Sequence, residues 1–289
     1  MNIDKPIKYR PRLGKHPRKY NHKNLLFGRY MPRLPEPPPI VDRASRLGTN
    51  IGMMLNDVYG ICTVAAAGHQ VQSWTTYAER GKLTIPDGAL ADAYFIVSPN
   101  DDGAYLLDVL NLWRKTGIGP DKIEAFLEIG PTSITEMELA IDHFGGAYIG
   151  MSLPDINTFG PWITPSGPAN PWNGHAIVLL AYDRVKRRFL GATWGEIVEI
   201  SYEWILAYCD EAYAVLNDIS LIIATGKSPS GFNWAQLNED LAHIKDPITP
   251  PVPDPAPPVP PAPVPVPPPV PVPPAPTPHK CWILKMLRR

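Results

Sequence analysis

The order of patterns along this sequence predicts an α+β domain, with helices first and an antiparallel sheet second. Apolar residues recur at helical spacing between residues 62 and 144. Short runs rich in Val, Ile, Leu and aromatic residues follow between residues 147 and 223, and both ends of the chain are rich in proline. Because helices that precede strands favour an α+β arrangement over a doubly wound parallel sheet, we expect one such domain between two irregular ends.

Composition sets bounds on the class of protein. The chain has 289 residues, 44% of them hydrophobic, and its net charge of -1 gives no general attraction to nucleic acid. Its three cysteines are too few and too far apart for a disulfide framework. No apolar core follows the basic N-terminus and no apolar run reaches about 18 residues, so we expect neither a secretory signal nor a membrane span. These features predict a soluble protein.

Residues 1–40 read as a basic, irregular arm. Residues 1–33 contain ten Lys or Arg and one acid, Asp4, and prolines recur throughout the segment. Proline removes a backbone donor and blocks regular helix, so this arm is not expected to form one. Three interpretations stay open: a solvated tail, an arm that docks on an acidic partner, and an arm that lies over the folded domain as a propeptide does.

We place the domain at residues 41–246. In its first half, the sequence predicts four helices. They lie at residues 62–80, 102–116, 121–128 and 133–144. In the first helix, apolar residues recur three and four positions apart, as on a buried helical face. The second helix is expected to be capped by Asp101 or Asp102 and to end at Gly117.

The second half of the domain predicts a sheet. Its short apolar runs are rich in β-branched and aromatic residues, which favour strands. The predicted strands lie at residues 147–153, 175–182, 188–193, 197–201 and 213–223, with one helical insert at 202–209.

Beyond the domain, residues 247–278 contain 19 prolines in 32 positions. Such a run favours polyproline II, which at about 3.1 Å per residue makes a semi-rigid spacer of roughly 100 Å. Residues 279–289 then form a short basic peptide with apolar side chains. We interpret residues 247–278 as a linker and residues 279–289 as a docking peptide; an untethered disordered end is the alternative.

Cys62 is the candidate nucleophile. A thiol that attacks a carbonyl must ionise, needs a base within reach and needs donors for the oxyanion. Gly60 precedes Cys62 in a turn and a predicted helix follows it, so the thiol sits at a helix N-terminus, where thiolate is favoured. The alternative is a buried, inert cysteine. Cys209, in a mainly apolar run, is expected to be of that inert kind.

The segment from Asn56 to Cys62, Asn-Asp-Val-Tyr-Gly-Ile-Cys, resembles the oxyanion-and-nucleophile segment of the papain family of cysteine peptidases. That family carries Gln where this chain has Asn56, and an Asn amide can donate the same hydrogen bond from a shorter side chain. Other parts of the chain resemble further segments of the family; they are residues 38–43, 101–117 and 145–151.

A second segment, Asn-Gly-His-Ala-Ile-Val-Leu-Leu around His175, resembles the strand that bears the catalytic histidine of that family. Gly-Ala-Thr-Trp-Gly, which ends near Trp194, resembles its segment with an orienting Asn and a shielding Trp. The resemblance implies a papain-like α+β fold, with an N-terminal helical part, a C-terminal antiparallel sheet part and the cleft between them. It also implies that Cys62 attacks, His175 moves the proton, Asn56 holds the oxyanion and Trp194 shields the imidazole.

The chain departs from the family at Ala192, where the orienting Asn is expected. Alanine cannot accept a hydrogen bond from the second ring nitrogen of His175. Thr193 is the neighbouring polar residue, but strand alternation predicts that it points to the opposite face. A carbonyl and Asp183 are the other candidate acceptors.

Three functions are compatible with these residues. The first is a cysteine hydrolase, most readily a peptidase acting on a peptide or protein substrate. The second is a catalytically silent relative that binds partners through its arm and C-terminal peptide. Small papain-like proteins with a proline-rich appendage resemble those carried by bacteriophages, so this interpretation includes attachment to a virion or a host surface. Without a signal peptide, the location is open between cytoplasmic and virion-associated. The third is a transglutaminase- or amidase-like enzyme, for which Asp183 would be the third member of the site.

Neither a metal nor another cofactor is expected. Cys and His residues never cluster at ligand spacing, and no Gly-rich phosphate loop is present. His69 lies two helical turns after Cys62, about 10 Å away, too far to act as its base. The sequence also gives no reason to expect specific binding of nucleic acid.

Overall fold

A computed structural model of the chain describes residues 11–31, 33–156, 159–217 and 233–244. The chain divides into two compact units, Met1–Lys245 and Asp246–Arg289, and all described residues belong to the first. The predicted linker at 247–278, the predicted peptide at 279–289 and Cys281 therefore lie outside the described residues. So does the part of the last predicted strand beyond residue 217.

Helices occupy both ends and the first half of the described chain. They are α1 (Phe27–Tyr30), α2 (Cys62–Tyr77), α3 (Asp87–Val97), α4 (Leu106–Lys115), α5 (Ile134–Phe144), α6 (Tyr202–Tyr208) and α7 (Trp234–Ile244), with a 3-10 turn at Ser45–Leu47. None of them, in the ranges that the structure describes, has the length and apolarity needed to cross a membrane.

Within the described residues, the strands form one seven-stranded antiparallel sheet. They are β1 (Ile40–Asp42), β2 (Ala125–Ile129), β3 (Ala147–Ser152), β4 (Gly174–Asp183), β5 (Arg188–Thr193), β6 (Glu196–Ser201) and β7 (Cys209–Leu216). The order across the sheet is β2-β7-β3-β4-β5-β6, and β1 pairs with the last three residues of β4. The α+β fold class predicted from the sequence is confirmed.

Most predicted elements are present, but the arm, expected to be irregular, contains the short helix α1, and two details of the helical half were wrong. Residues 121–128, predicted as a helix, contain the start of β2, whose residues alternate between buried and half-buried as they pair with β7. The predicted Asp cap of α4 does not form, because the helix begins at Leu106 after an extended Tyr105. Asp101 instead accepts hydrogen bonds from the backbone N–H of Gly60 and the hydroxyl of Tyr94.

The sheet is covered on both faces. One face packs against the helical half through α2, α3 and α4, and the other packs against α1, α5, α6 and α7. Neighbouring residues of β4 therefore reach different layers: Ala176 packs on the α2 side, and Ile177 packs on the other. This strand joins the two halves of the domain, and the candidate site lies at its beginning.

Candidate active site

Cys62 is the first residue of α2, and it is buried. The turn before it is held by Asp101, which accepts from the backbone N–H of Gly60 at 2.8 Å. The helix can lie close to β4 because its first turns carry small residues, Ala65 to Gly68. The sequence therefore places a thiol at the N-terminal end of a buried helix, beside the start of β4.

His175 is the second residue of β4, and its side chain is fully buried. Its Nε2 atom lies 2.7 Å from the hydroxyl of Thr193. Its Nδ1 atom makes no hydrogen bond to any described residue. One ring nitrogen is therefore held by a neutral hydroxyl, and the other is left for a different partner.

The contact between Thr193 and His175 corrects the expectation that Thr193 points away. Ala192 is opposite Val178 in the pairing of β5 with β4, so it faces the layer on the other side of the sheet. Thr193, the next residue, shares the face of His175 and Ile177. The register, which includes an irregularity between Leu179 and Ala181, decides this orientation.

Trp194 stacks on the imidazole of His175, with ring centroids 4.0 Å apart and planes inclined by 18°. Trp162 approaches the same imidazole edge-on at 6.2 Å. Trp194 takes a positive φ of 44° in the turn between β5 and β6, followed by Gly195 with φ of 77°. The turn thus folds one indole over the ring, and two tryptophans exclude water from His175.

Burial keeps both reactive groups neutral in this conformation. It raises the pKa of the Cys62 thiol to about 11, and the backbone N–H groups of Ala176 and Gly14 and the charge of Lys15 only partly offset the rise. Burial also lowers the pKa of His175 to about 3. Cys62 lies against the backbone of the residue that follows His175, but no hydrogen bond joins its sulfur to the imidazole among the described contacts. The site is therefore assembled around a thiol and a neutral imidazole.

Asn56 is also buried, and its amide already has partners. Its Nδ2 atom donates to the carbonyl oxygen of Arg12 at 3.0 Å and to that of Tyr59 at 3.4 Å. The indole N–H of Trp194 donates to the same Arg12 carbonyl at 3.2 Å. Two side chains that the sequence assigns to the site thus converge on one carbonyl of the N-terminal arm.

The arm crosses the site from the helical half to the sheet. The backbone N–H groups of Gly14 and Lys15 both donate to the carbonyl of Gly174, at 3.2 and 3.0 Å. On the helical side, the N–H of Ala104 donates to Gly14 at 2.7 Å and the N–H of His16 donates to Ala104 at 3.0 Å. A Cβ atom at Gly14 would overlap the carbonyl of Gly60, so only glycine allows this approach.

The side chain of Lys15 fills a pocket next to the place where the arm crosses from the helical half to the sheet. Its side chain is 0% exposed, and its ammonium lies 2.9 Å from Asp210 Oδ1 and 3.2 Å from Glu211 Oε1. Ser152 donates to the other oxygen of Asp210 at 2.6 Å, and Tyr213 donates to Glu211 at 3.2 Å. Burial raises the pKa of Glu211 to about 7, and the charge of Lys15 counters that rise.

Asp183 does not belong to the site, and the expectation that it serves His175 was wrong. It lies at the far end of β4, eight residues and roughly 26 Å from His175 along the strand. Its carboxylate is paired with Lys186 at 3.2 Å. His69 is buried in α2, where its Nδ1 lies 3.2 Å from Gln72 Oε1. Cys209 is buried at the start of β7, and neither it nor Cys62 forms a disulfide.

Sequence reasoning missed the arm residues and their acidic partners. Lys15 is one of ten basic residues in a segment without pattern, and Asp210 and Glu211 are adjacent acids at the start of a strand. Both acids lie between the predicted helical insert at 202–209 and the predicted strand at 213–223, so no predicted element included them. Among the described residues, no group of three or more His, Cys, Asp or Glu side chains could hold a metal ion.

Comparison by sequence finds nothing: the chain matches no protein-family model and no curated protein. Comparison by structure does find similar chains. One is xylellain, a cysteine protease from Xylella fastidiosa, with a TM-score of 0.55 at 14% identity over 73% of this chain and 99% of that one.

Two protease precursors are similar to a comparable extent. Digestive procathepsin L 3 of the Tenebrio molitor larval midgut has a TM-score of 0.52 at 8% identity, over 72% of this chain and 76% of that one. Procathepsin B from Trypanosoma congolense has a TM-score of 0.52 at 11% identity, over 70% and 85%. At these identities the likeness concerns the fold.

Proposed function

Since this chain has the papain-like fold of cysteine proteases, we propose that it is a cysteine peptidase, and that the described conformation is a closed one. The observation that carries the proposal is the convergence on the Arg12 carbonyl. Asn56 and Trp194 direct their N–H groups to a peptide carbonyl of the arm, and Trp194 also stacks on the imidazole of His175. The arm thus occupies the position that a substrate backbone would take.

For the reaction to occur, the carbonyl group of a substrate must replace the Arg12 carbonyl in the cleft. The Cys62 sulfur attacks the substrate carbonyl carbon, and its proton passes to Nδ1 of His175. Asn56 Nδ2 and the backbone N–H of Cys62 hold the oxyanion. The C–N bond then breaks as His175 returns the proton to the leaving amine, and water hydrolyses the thioester to release the acid and the thiol.

Thr193 has the part of orienting group in this scheme. When Nε2 of His175 carries the proton, the Thr193 oxygen accepts a hydrogen bond from that N–H group, and Nδ1 keeps the lone pair that a base needs. A hydroxyl can accept this bond as an amide oxygen does, so the absence of Asn at Ala192 does not leave the ring without an orienting partner. Trp194 stacks on the imidazole of His175 and covers one face of the ring.

Departure of the arm would change the charge state of the pair. Because burial raises the pKa of Cys62 and lowers that of His175, rehydration moves the two values towards each other. Proton transfer from sulfur to nitrogen then becomes more favourable. The arm therefore blocks access, and we expect its departure to favour the thiolate although Gly14 and Lys15 of the arm themselves lower the pKa of Cys62.

Displacing the arm is the direct test. Gly14→Ala in the full chain places a methyl group against Gly60, so we expect the arm to leave the cleft and a quenched fluorescent peptide mixture to be hydrolysed faster. Gly88→Ala is the matched control, because a Cβ atom at Gly88 has open space around it and should change nothing.

Hydrolysis by the Gly14→Ala chain must disappear when Cys62→Ala is added. A folded Gly14→Ala chain in which arm residues 11–20 have become sensitive to added trypsin, but which cleaves no peptide, would refute the peptidase proposal. Turnover that survives Cys62→Ala would refute the assigned nucleophile.

The second candidate is the silent binding protein. The filled cleft and the neutral thiol and imidazole favour it, since a site that is never opened needs no catalytic pair. In that case the arm is a permanent part of the fold, and the C-terminal peptide at 279–289 supplies the docking contact. Any hydrolysis that depends on Cys62 excludes this candidate.

A further inference from the structure

We propose that the pocket occupied by Lys15 selects a lysine-like, positively charged side chain of the substrate, with Asp210 and Glu211 as the residues that determine this specificity. The inference rests on the peptidase function proposed above and adds the class of substrate. In the closed conformation the chain's own arm supplies the side chain that the pocket is built for.

The pocket holds the ammonium between several oxygens. Lys15 Nζ lies 2.9 and 3.0 Å from the two oxygens of Asp210, 3.2 Å from Glu211 Oε1 and 3.0 Å from the carbonyl oxygen of His16. Neither Asp210 Oδ1 nor Glu211 Oε1 makes a hydrogen bond to another described residue. The ammonium is therefore the partner that these two oxygens have.

Both carboxylates are held in place by other side chains. Ser152 donates to Asp210 Oδ2 at 2.6 Å, and Tyr213 donates to Glu211 Oε2 at 3.2 Å. These bonds come from β3 and β7, so the acids are fixed by the sheet and do not depend on the arm. An arrangement that persists when the arm leaves can receive another cation.

Charge makes the selection strong. The Glu211 side chain is 1% exposed and that of Asp210 is 27% exposed, so an apolar occupant would leave two adjacent carboxyl groups with little access to water. A cation in the pocket allows both groups to be ionised. Buried polar groups that are left without their partner discriminate strongly between related ligands.

The shape of the pocket favours a substrate side chain with an unbranched aliphatic stem. A Cβ atom at Gly150 would overlap the Cε atom of Lys15 and approach the Cγ atom of Glu211, so the stem passes directly over this glycine. A Cβ atom at Gly174 would overlap the Lys15 carbonyl. Gly150 thus leaves room for the side-chain stem and Gly174 for the backbone that carries it, so a straight side chain with a terminal charge fits the pocket.

The first experiment measures binding without catalysis. A fluorescent decapeptide with the sequence of residues 11–20 is titrated into full-length chains that carry Cys62→Ala together with either Lys15→Ala or Gly14→Ala, so that two variants free the pocket in different ways. The same peptide with N-acetylated Lys15 is the matched control of equal length. We expect the unmodified peptide to bind at least about tenfold more tightly, because acetylation removes the charge that pairs with the two acids.

The pocket variants test the assignment of residues. Glu211→Gln and Asp210→Asn keep the size of each side chain but remove its charge, so each should reduce the preference for the unmodified peptide. Equal affinity for the two peptides, no measurable binding of the unmodified one, or an unchanged preference in both variants would overturn the proposal.

The second experiment measures cleavage with Cys62 intact. Full-length Gly14→Ala is given peptide substrates that carry Lys, acetyl-lysine or Leu at each position around one cleavage site. Faster cleavage with Lys at one position supports the proposal, and cleavage that ignores the charge overturns it while leaving the peptidase function intact. Preferential binding of the lysine peptide without any cleavage supports the pocket and refutes the peptidase function.

Discussion

At the scale of single residues, His175 shows how an imidazole can be oriented without the expected amide. Thr193 provides an oxygen 2.7 Å from Nε2, and Trp194 stacks on the ring at 4.0 Å. The proposed site residues Cys62, His175, Asn56 and Trp194 were all predicted from ordered motifs of the sequence. The role proposed for Thr193 could not be predicted from the sequence. Strand alternation alone does not say which of two neighbouring residues, Ala192 or Thr193, faces His175 until the pairing register of the strands is known.

Removal of the Thr193 hydroxyl should weaken catalysis through the orientation of His175. In the Gly14→Ala background, we expect Thr193→Val to lower kcat/KM by about tenfold or more, because an unheld imidazole spends less time in the reactive tautomer. Thr193→Ser keeps the hydroxyl and should lose less. The pH profile of kcat/KM is the decisive readout, since the limb that belongs to His175 should shift in Thr193→Val and a purely structural defect would not move it.

The pH dependence of alkylation tests the buried thiol. With a pKa of about 11, only roughly one Cys62 in ten thousand is thiolate at pH 7 in the closed chain, so labelling by iodoacetamide should be slow and should rise until about pH 11. In Gly14→Ala the midpoint should move to lower pH, because exposure to water removes the cause of the raised pKa. Peptide mass spectrometry separates Cys62 from the other cysteines; the same midpoint in both chains would show that the arm does not control the thiol.

At the scale of elements, the helices and strands with strong periodicity were predictable and their neighbours were not. The helix after Cys62 and the strand that bears His175 were predicted within a few residues. The strand β2 was mistaken for a helix because its five residues are too short for periodicity to decide, and it forms by pairing with β7. Of the eleven residues of α3, only Leu90, Ala93 and Tyr94 are buried, too few to mark a face in the sequence.

The start of α6 offers a prediction of stability. Ser201 is its N-cap, and its hydroxyl accepts from the backbone N–H of Trp204 at 2.9 Å. We expect Ser201→Ala to lower the free energy of unfolding by about 1 kcal/mol or more, because it removes the cap and also the hydrogen bond that the same hydroxyl donates to the Ile163 carbonyl. Ser133, the N-cap of α5, makes no bond of this kind, so Ser133→Ala is the matched control. Urea unfolding of both chains decides the matter, and equal losses would mean that the Ser201 cap is not stabilising.

At the scale of the whole molecule, the basic arm and the otherwise acidic domain are complementary. Arg12 pairs with Asp101 at 2.9 Å, and Lys19 pairs with Asp108 at 2.8 Å. Of the three interpretations left open by the sequence, the covering arm accounts for the described residues 11–20. Composition showed that the arm is basic and the rest of the chain acidic, but not which acids pair with the arm. Those acids come from distant parts of the chain.

Salt should loosen the arm. Exposed ion pairs contribute about 0–1 kcal/mol each and are screened by ions, so raising the salt concentration to about 0.5 M should increase the alkylation rate of Cys62 by a few-fold in the native chain. The buried pairs of Lys15 are screened less, so the effect should stay modest. The Gly14→Ala chain, with its arm already displaced, is the control and should respond less; a native chain that is indifferent to salt would contradict this picture.

The arm and the cleft that it covers belong to one polypeptide. They are joined through α1, where Phe27 and Tyr30 are fully buried. Closing is therefore a unimolecular event, governed by a local effective concentration on the order of millimolar for a short tether. Dilution cannot open the cleft, and the closed fraction should be the same at nanomolar and at micromolar protein. A single cut of the backbone between residue 19 and α1 would remove this advantage. The freed arm peptide would diffuse away, and the reversible closing of the cleft would give way to irreversible opening.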